Sequence, residues 1–177
     1  MARPQQLVLV DTDDQVTGSA ERLDCHAGEG LLHRAFSILI FDAEGRVLLQ
    51  KRSAEKQLWP GFWSNTCCGH PLRGEAVQDA AHRRLEEEFG FRADLDPLFK
   101  FQYAAPFEDR GWERELCAVF VGRYSGDLSP APEEISAWEW SGPGELSGAL
   151  EHDPTRFTPW FRFIWRVLGL PRAVWEP

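Results

Sequence analysis

The sequence is poor in cysteine of the kind that staples a fold. Its four cysteines, Cys25, Cys67, Cys68 and Cys117, form no C-x-x-C pair, and two are adjacent. That excludes a disulfide framework and fits a reducing, cytoplasmic setting. Basic charge is scarce as well: 19 Lys and Arg against 28 Asp and Glu leave a formal charge of −9. This balance argues against nucleic acid or an anionic membrane as the main partner. An anionic substrate would have to be met by a local basic cluster or by bound metal. No apolar run approaches membrane-spanning length. Met1-Ala2-Arg3-Pro4 leads into a short β-like run rather than an apolar segment, so no secretory signal is expected. Internal repeats, low-complexity tracts and linkers are also missing. The 177 residues are therefore expected to form one domain, 1–177, with a substantial core.

What is present is more specific. Eight tryptophans is a high number, and aromatics at that density line pockets as well as cores. Gln6 to Val10 reads as a strand and Asp11 to Asp14 as a turn. Ala20 to Ala27 reads as a short helix ended by Gly28, placing His26 at its end and His33 at the start of the next strand. Arg34 to Phe41 alternates, Asp42-Ala43-Glu44-Gly45 is a hairpin turn, and Val47 to Gln50 is the return strand. Lys51 to Lys56 is a basic loop, and Trp59 to Trp63 an aromatic turn. Val77, Ala81, Leu85 and Phe89 form an i, i+4 stripe, so a helix runs to Gly90, a plausible C-cap. Strands are expected at Leu98–Tyr103, Glu115–Val121 and Ala137–Trp140, and a loop or weak helix at 142–150. A last helix is expected from Thr158 to Leu168. The order predicts an α/β (α+β) architecture, a mixed β-sheet sandwiched between helices.

Four groups of residues have chemical potential. His26, His33, His70, Glu113 and Glu115 offer nitrogen and oxygen donors suited to Zn²⁺, Mn²⁺, Fe or a Mg²⁺-like ion. Glu113 and Glu115, two apart, leave a strand on one face, yet alone they also read as a solvated edge. Glu87 and Glu88 at a helix end can hold Mg²⁺, but Arg83–Glu87 and Arg84–Glu88 are equally i, i+4 ion pairs on an exposed face. Lys51, Arg52 and Lys56 can clamp phosphate or simply be solvated. Cys68, flanked by Gly69 and His70, is a thiol whose pKa a nearby metal could lower, making it an acid or base. Free cysteines are more often inert core residues, and in an extended loop Cys67 points away from the face Cys68 takes. Trp63, Tyr103 and Trp160 can present an aromatic face to a cation or simply fill core.

In combination these signals point to one family. Gly69, Glu75, Arg83, Glu87, Glu88, Gly90 and Phe91 follow the Nudix box, G-x5-E-x7-R-E-U-x-E-E-x-G-U, with Arg84 where the box has Glu. Trp59-Pro60-Gly61-x-Trp63-x-Asn65-x-x-Cys68-Gly69-His70-Pro71 resembles the type 1 isopentenyl-diphosphate isomerases, a branch of the Nudix fold. The likeness extends to His26-x6-His33, Lys51-Arg52 with Lys56, Tyr103, Glu113-x-Glu115-x-Cys117 and Phe157-x-Pro159-Trp160, in collinear order. Past Trp165 it fades. The Arg at 84 is consistent with this branch.

The resemblance implies that His26, His33, His70, Glu113 and Glu115 enclose one divalent ion, Mn²⁺ or Zn²⁺. It implies that Glu88 helps hold a Mg²⁺ that also binds the substrate diphosphate. It places Arg52 and Lys56 on the diphosphate, Cys68 and Glu115 as the two acid/base residues with Tyr103 assisting Glu115, and Trp160 against the hydrocarbon. Arg22 stands where some relatives carry Lys and receives no role. The implied activity is isomerisation of a small prenyl diphosphate by a monomer. A Nudix pyrophosphohydrolase and a non-catalytic binding module are the alternatives.

Overall fold

A computed structural model of the chain describes residues 5–169. Met1 to Pro4 and residues 170–177 lie outside the described part, so neither the reading of the N-terminal tetrapeptide nor that of the tail's last eight residues is addressed by it.

The alternating run after His33 forms the strand on which the sheet is built, β3 here (His33–Phe41). It follows β1 (Gln6–Val10), β2 (Val16–Glu21) and α1 (Arg22–His26) in the chain. Then come β4 (Val47–Arg52), β5 (Trp63–Ser64), β6 (Cys67–Gly69) and α2 (Val77–Phe89). The long pair β7 (Asp96–Phe107) and β8 (Gly111–Arg123) is followed by β9 (Ile135–Ser141), α3 (Pro143–His152) and α4 (Pro159–Leu168). β3 runs parallel to β8, in register from His33↔Glu115 to Phe41↔Arg123. It is antiparallel to β6, with Ser37 opposite Cys68. β7–β8, β4–β9, β4–β5 and β1–β2 are antiparallel pairs. The sheet is mixed, as expected.

Period-two alternation divides its side chains between two cores. Phe36, Ile38, Ile40, Leu48 and Cys67 meet Ala80, Ala81, Leu85 and Phe89 of α2. Leu39, Val47, Leu49 and Val119 meet Leu146 of α3 and Trp160, Phe161, Ile164 and Trp165 of α4. Burial of each large side chain is worth about 1.5–3 kcal/mol, so both helical layers are held by their apolar faces. α2 stops where the stripe ends, at Gly90, whose φ of 76° is the left-handed cap conformation.

Several boundaries differ from those read in the sequence. Residues 20 and 21 are not helical: Val16–Glu21 is an edge strand on β1, and the helix begins at Arg22. Pairing with β1 overrides the helix propensity of Ala20-Glu21. Lys51 and Arg52 belong to β4 rather than to a loop. β8 begins at Gly111, so Glu113 lies within the strand and not before it. The stretch after Gly142 is a full helix with Pro143 at its first position, where a missing N–H costs nothing.

Candidate metal and acid/base site

The site occupies one end of the α4-facing side of the sheet. His33 opens β3, and the parallel register sets it beside Glu115. Glu113 lies two residues before Glu115 on the same face. α1 ends at His26, and the chain leaving β6 supplies His70. Gly111 permits the approach of α1: it has φ 134°, and a Cβ there would overlap the His26 carbonyl oxygen.

The five ligand atoms of His26, His33, His70, Glu113 and Glu115 lie within 4.8 Å of one another. A solvated edge is ruled out, because Glu113 and Glu115 are only 7% and 6% exposed. His26 and His33 each place Nδ1 2.7 Å from a backbone carbonyl, those of Arg22 and Leu31. With Nδ1–H donated there, each Nε2 lone pair points inward. His26 Nε2 then faces Glu113 Oε2 at 2.9 Å, and His33 Nε2 stands 3.7 Å from Glu115 Oε1. His33 Nε2 and Glu113 Oε2 have no hydrogen-bond partner although buried. Two buried acceptors left without a donor inside a cluster of imidazole and carboxylate groups fit a divalent cation.

Burial and the neighbouring imidazoles hold His70 well below the ordinary histidine range, so its ring is neutral, the form able to offer a lone pair to a metal. His26 goes the other way: burial opposes its charge, but the Glu113 carboxylate outweighs burial and raises it. Burial alone would raise Glu115, yet contacts with His33 and Tyr103 prevail and hold it below the usual carboxylate range. Tyr103, opposite Glu115 in the β7–β8 ladder, donates its hydroxyl to Oε2 at 2.6 Å.

Cys68 shares this face. Its Sγ donates to Asn65 Oδ1 at 3.2 Å and lies 3.5 Å from Ser37 Oγ. Cys67 points into the α2 core, as the extended geometry requires. Burial pushes Cys68 above its ordinary value, more than Ser37 and Arg52 pull it down, so the thiol is protonated at neutral pH.

Cys68, His70, Tyr103, Glu113, Glu115, Arg52, Lys56 and Trp160 line one cavity. The Arg52 guanidinium donates to the carbonyls of Trp59 and Leu58 at 3.0 and 2.8 Å and stands over the Trp160 ring. Trp160 is buried, and its indole N–H donates to Ser64 Oγ. Lys51 does not line the cavity. Glu88 sits behind it, 1% exposed, with Oε1 accepting from Arg84 and Oε2 from Gln50. The i, i+4 pairs of Arg83 with Glu87 and of Arg84 with Glu88 both form, but the second is buried rather than solvated. Arg22, Arg84 and Glu134 also line the cavity and were given no role in the sequence reading. The adjacent Arg83-Arg84 pair was the one available sign.

Comparison with known proteins agrees with this architecture. The NUDIX domain model matches residues 31–161. The chain is 46% identical to an isopentenyl-diphosphate Delta-isomerase of Burkholderia multivorans, covering 94% of each sequence. It is 44% identical to one from Halorhodospira halophila, over 97% of this chain and 98% of that one. The crystal structure of DR0079 from Deinococcus radiodurans superposes with a TM-score of 0.75 at 23% identity, covering 92% and 98% of the two chains, a likeness of fold. The chain therefore belongs to the isopentenyl-diphosphate Delta-isomerases, within the NUDIX family.

Proposed function

We propose that the protein interconverts isopentenyl diphosphate and dimethylallyl diphosphate. The observation that carries this reading is the meeting of Cys68 and Glu115 in a cavity that also holds Arg52, Lys56 and Trp160. Moving the double bond from C3–C4 to C2–C3 adds a proton at C4 and removes one from C2, with no net redox. An alkene is a very weak base, so the electron-poor species between the two transfers is a tertiary cation at C3.

Two residues are needed, one carrying a proton and one lacking it. The Cys68 thiol is protonated at neutral pH and the Glu115 carboxylate is not, so the pair presents one donor and one acceptor. Reversal of the reaction exchanges their roles. Tyr103 fixes the Glu115 carboxylate through Oε2 and helps move its proton. Trp160 walls the hydrocarbon side, and a desolvated ring contributes about 1–2 kcal/mol to a nearby cation. Positioning and exclusion of water supply much of the remainder. Arg52 and Lys56 receive the diphosphate.

His26, His33, His70, Glu113 and Glu115 would hold the resident ion, Mn²⁺ or Zn²⁺, which supplies positive charge that keeps Glu115 ionised and oriented. Glu88 would join a Mg²⁺ arriving with the diphosphate, since each of its oxygens keeps a second lone pair. The same reading treats residues 1–177 as one domain acting as a cytoplasmic monomer on a small anionic substrate. No described helix is long and apolar enough to cross a membrane.

The test is incubation with isopentenyl diphosphate and Mg²⁺, reading the acid-labile allylic product. Cys68→Ala and Glu115→Gln should each remove turnover, by at least about a thousandfold, with the circular dichroism spectrum unchanged. Phosphate release without allylic product would instead indicate a pyrophosphohydrolase. Arg84, which replaces a carboxylate of the hydrolase box and pairs with two others, Glu87 and Glu88, weighs against that outcome.

A further inference from the structure

Lys56 and Arg84 reach the cavity wall from different elements, one from the turn after β4 and one from α2, and both end on Glu134. Arg84 Nη2 donates to Glu134 Oε1 at 2.9 Å, and Lys56 Nζ donates to Oε2. The three side chains are 18%, 13% and 23% exposed, so the contacts are shielded from solvent. Arg84 has two further acidic partners, Glu87 and Glu88. Lys56 has no other ion-pair partner among the described residues.

The backbone around Glu134 ties down both cation-bearing elements. Ser53 N–H donates to the Glu134 carbonyl at 3.0 Å and Ser53 Oγ to the Glu133 carbonyl at 2.6 Å, which pins the turn that bears Lys56. On the other side, Ala131 N–H donates to the Glu88 carbonyl and Ser129 N–H to that of Phe89, each at 2.9 Å, which pins the end of α2. Pro130 and Pro132 limit the backbone between these anchors. One short segment thus holds both cations by their backbones and by a shared carboxylate.

We propose that Glu134 is a positioning residue for the diphosphate, a clasp that keeps Lys56 and Arg84 at one fixed separation on the cavity wall. This rests on the reading of the cavity as a prenyl-diphosphate site. Without the carboxylate the two cations repel each other, and the flexible lysine leaves the wall. Glu134 takes no part in proton transfer, so its loss weakens binding of the anionic end and leaves the chemical step largely intact.

Glu134→Gln keeps the shape and removes the charge. Its KM for isopentenyl diphosphate should rise about tenfold with kcat falling less than threefold, while Glu134→Asp restores most of the affinity. The Kd of inorganic pyrophosphate with Mg²⁺, measured by calorimetry, should rise by the same factor, whether or not the protein isomerises anything. An unchanged Kd in a folded Glu134→Gln protein would overturn the proposal. So would tighter pyrophosphate binding, which would make Glu134 a competitor of the anion. Absence of allylic product from the wild type would count against the isomerase reading alone.

Discussion

The guanidinium carbon of Arg52 lies 5.4 Å from the centre of the Trp160 ring. A fixed cation thus rests against the aromatic surface proposed for the hydrocarbon, so the groups proposed for the two ends of the substrate are in contact. Arg52→Lys removes the fork that binds the Leu58 and Trp59 carbonyls, and a lysine cannot replace it. We expect kcat/KM to fall at least about tenfold. Trp160→Leu keeps an apolar wall but loses the π face; kcat should drop about 10–30-fold, equivalent to about 1–2 kcal/mol. Steady-state kinetics on both variants check this, and an unchanged kcat in Trp160→Leu would remove the aromatic wall from the mechanism.

Removal of metal should cost stability as well as activity. Two buried acceptors of the His/Glu cluster, His33 Nε2 and Glu113 Oε2, lack a hydrogen-bond partner, and an ion bound there would stabilise the native state alone. Dialysis against a chelator should therefore lower Tm by several degrees, with recovery on adding Mn²⁺ or Zn²⁺. Elemental analysis should find one tightly held ion per chain, lost in His33→Ala. A Tm indifferent to chelation would argue against the ion.

Acid should weaken the wall that holds Lys56 and Arg84. Burial works against the charge of Glu134, but the two cations prevail and hold it at about 2, against an ordinary 4.5. The folded protein therefore binds fewer protons here than the unfolded chain. The stabilisation is fully present above about pH 4.5 and is lost as the pH falls through about 2. With allowance for partial exposure this amounts to roughly 2–3 kcal/mol. Urea unfolding at steps between pH 5 and 2 should show the wild type losing more than Glu134→Gln, and parallel losses would refute it.

Gly111→Ala probes the approach of α1. The added methyl group meets the His26 carbonyl oxygen at a backbone angle that disfavours any side chain. Its cost should fall on the ion more than on the sheet, with metal affinity reduced about tenfold or more. Competition with a chromophoric chelator measures this directly. Wild-type affinity in the variant would mean that α1 shifts freely.

Much of this arrangement was legible in the sequence because it is periodic. The stripe Val77, Ala81, Leu85, Phe89 marks α2, and the two-residue interval between Glu113 and Glu115 places both on one face. The edge strand β2 was not legible, since Val16 to Glu21 is exposed or only half buried and carries no apolar alternation. The meeting of His26 with Glu113 depends on the parallel crossover that sets β3 against β8, about 80 residues apart in the chain, which no local pattern encodes. Resemblance, not spacing, supplied it. Glu134 had no local signal: a glutamate after Pro-Glu reads as loop until Lys56 and Arg84 arrive beside it.

Glu115 divides its two oxygens between unlike neighbours. Oε1 lies 2.8 Å from the ring nitrogen of His70, and Oε2 takes the hydroxyl of Tyr103. Whatever strengthens the grip of one oxygen withdraws electrons from the other. In the proposed reading, where Glu115 both grips an ion and accepts a proton, a variant selected to hold the ion harder should therefore become a poorer proton acceptor, and one selected for speed should shed the ion more readily. Improvement of either property in this scaffold runs into the other at a single carboxyl carbon.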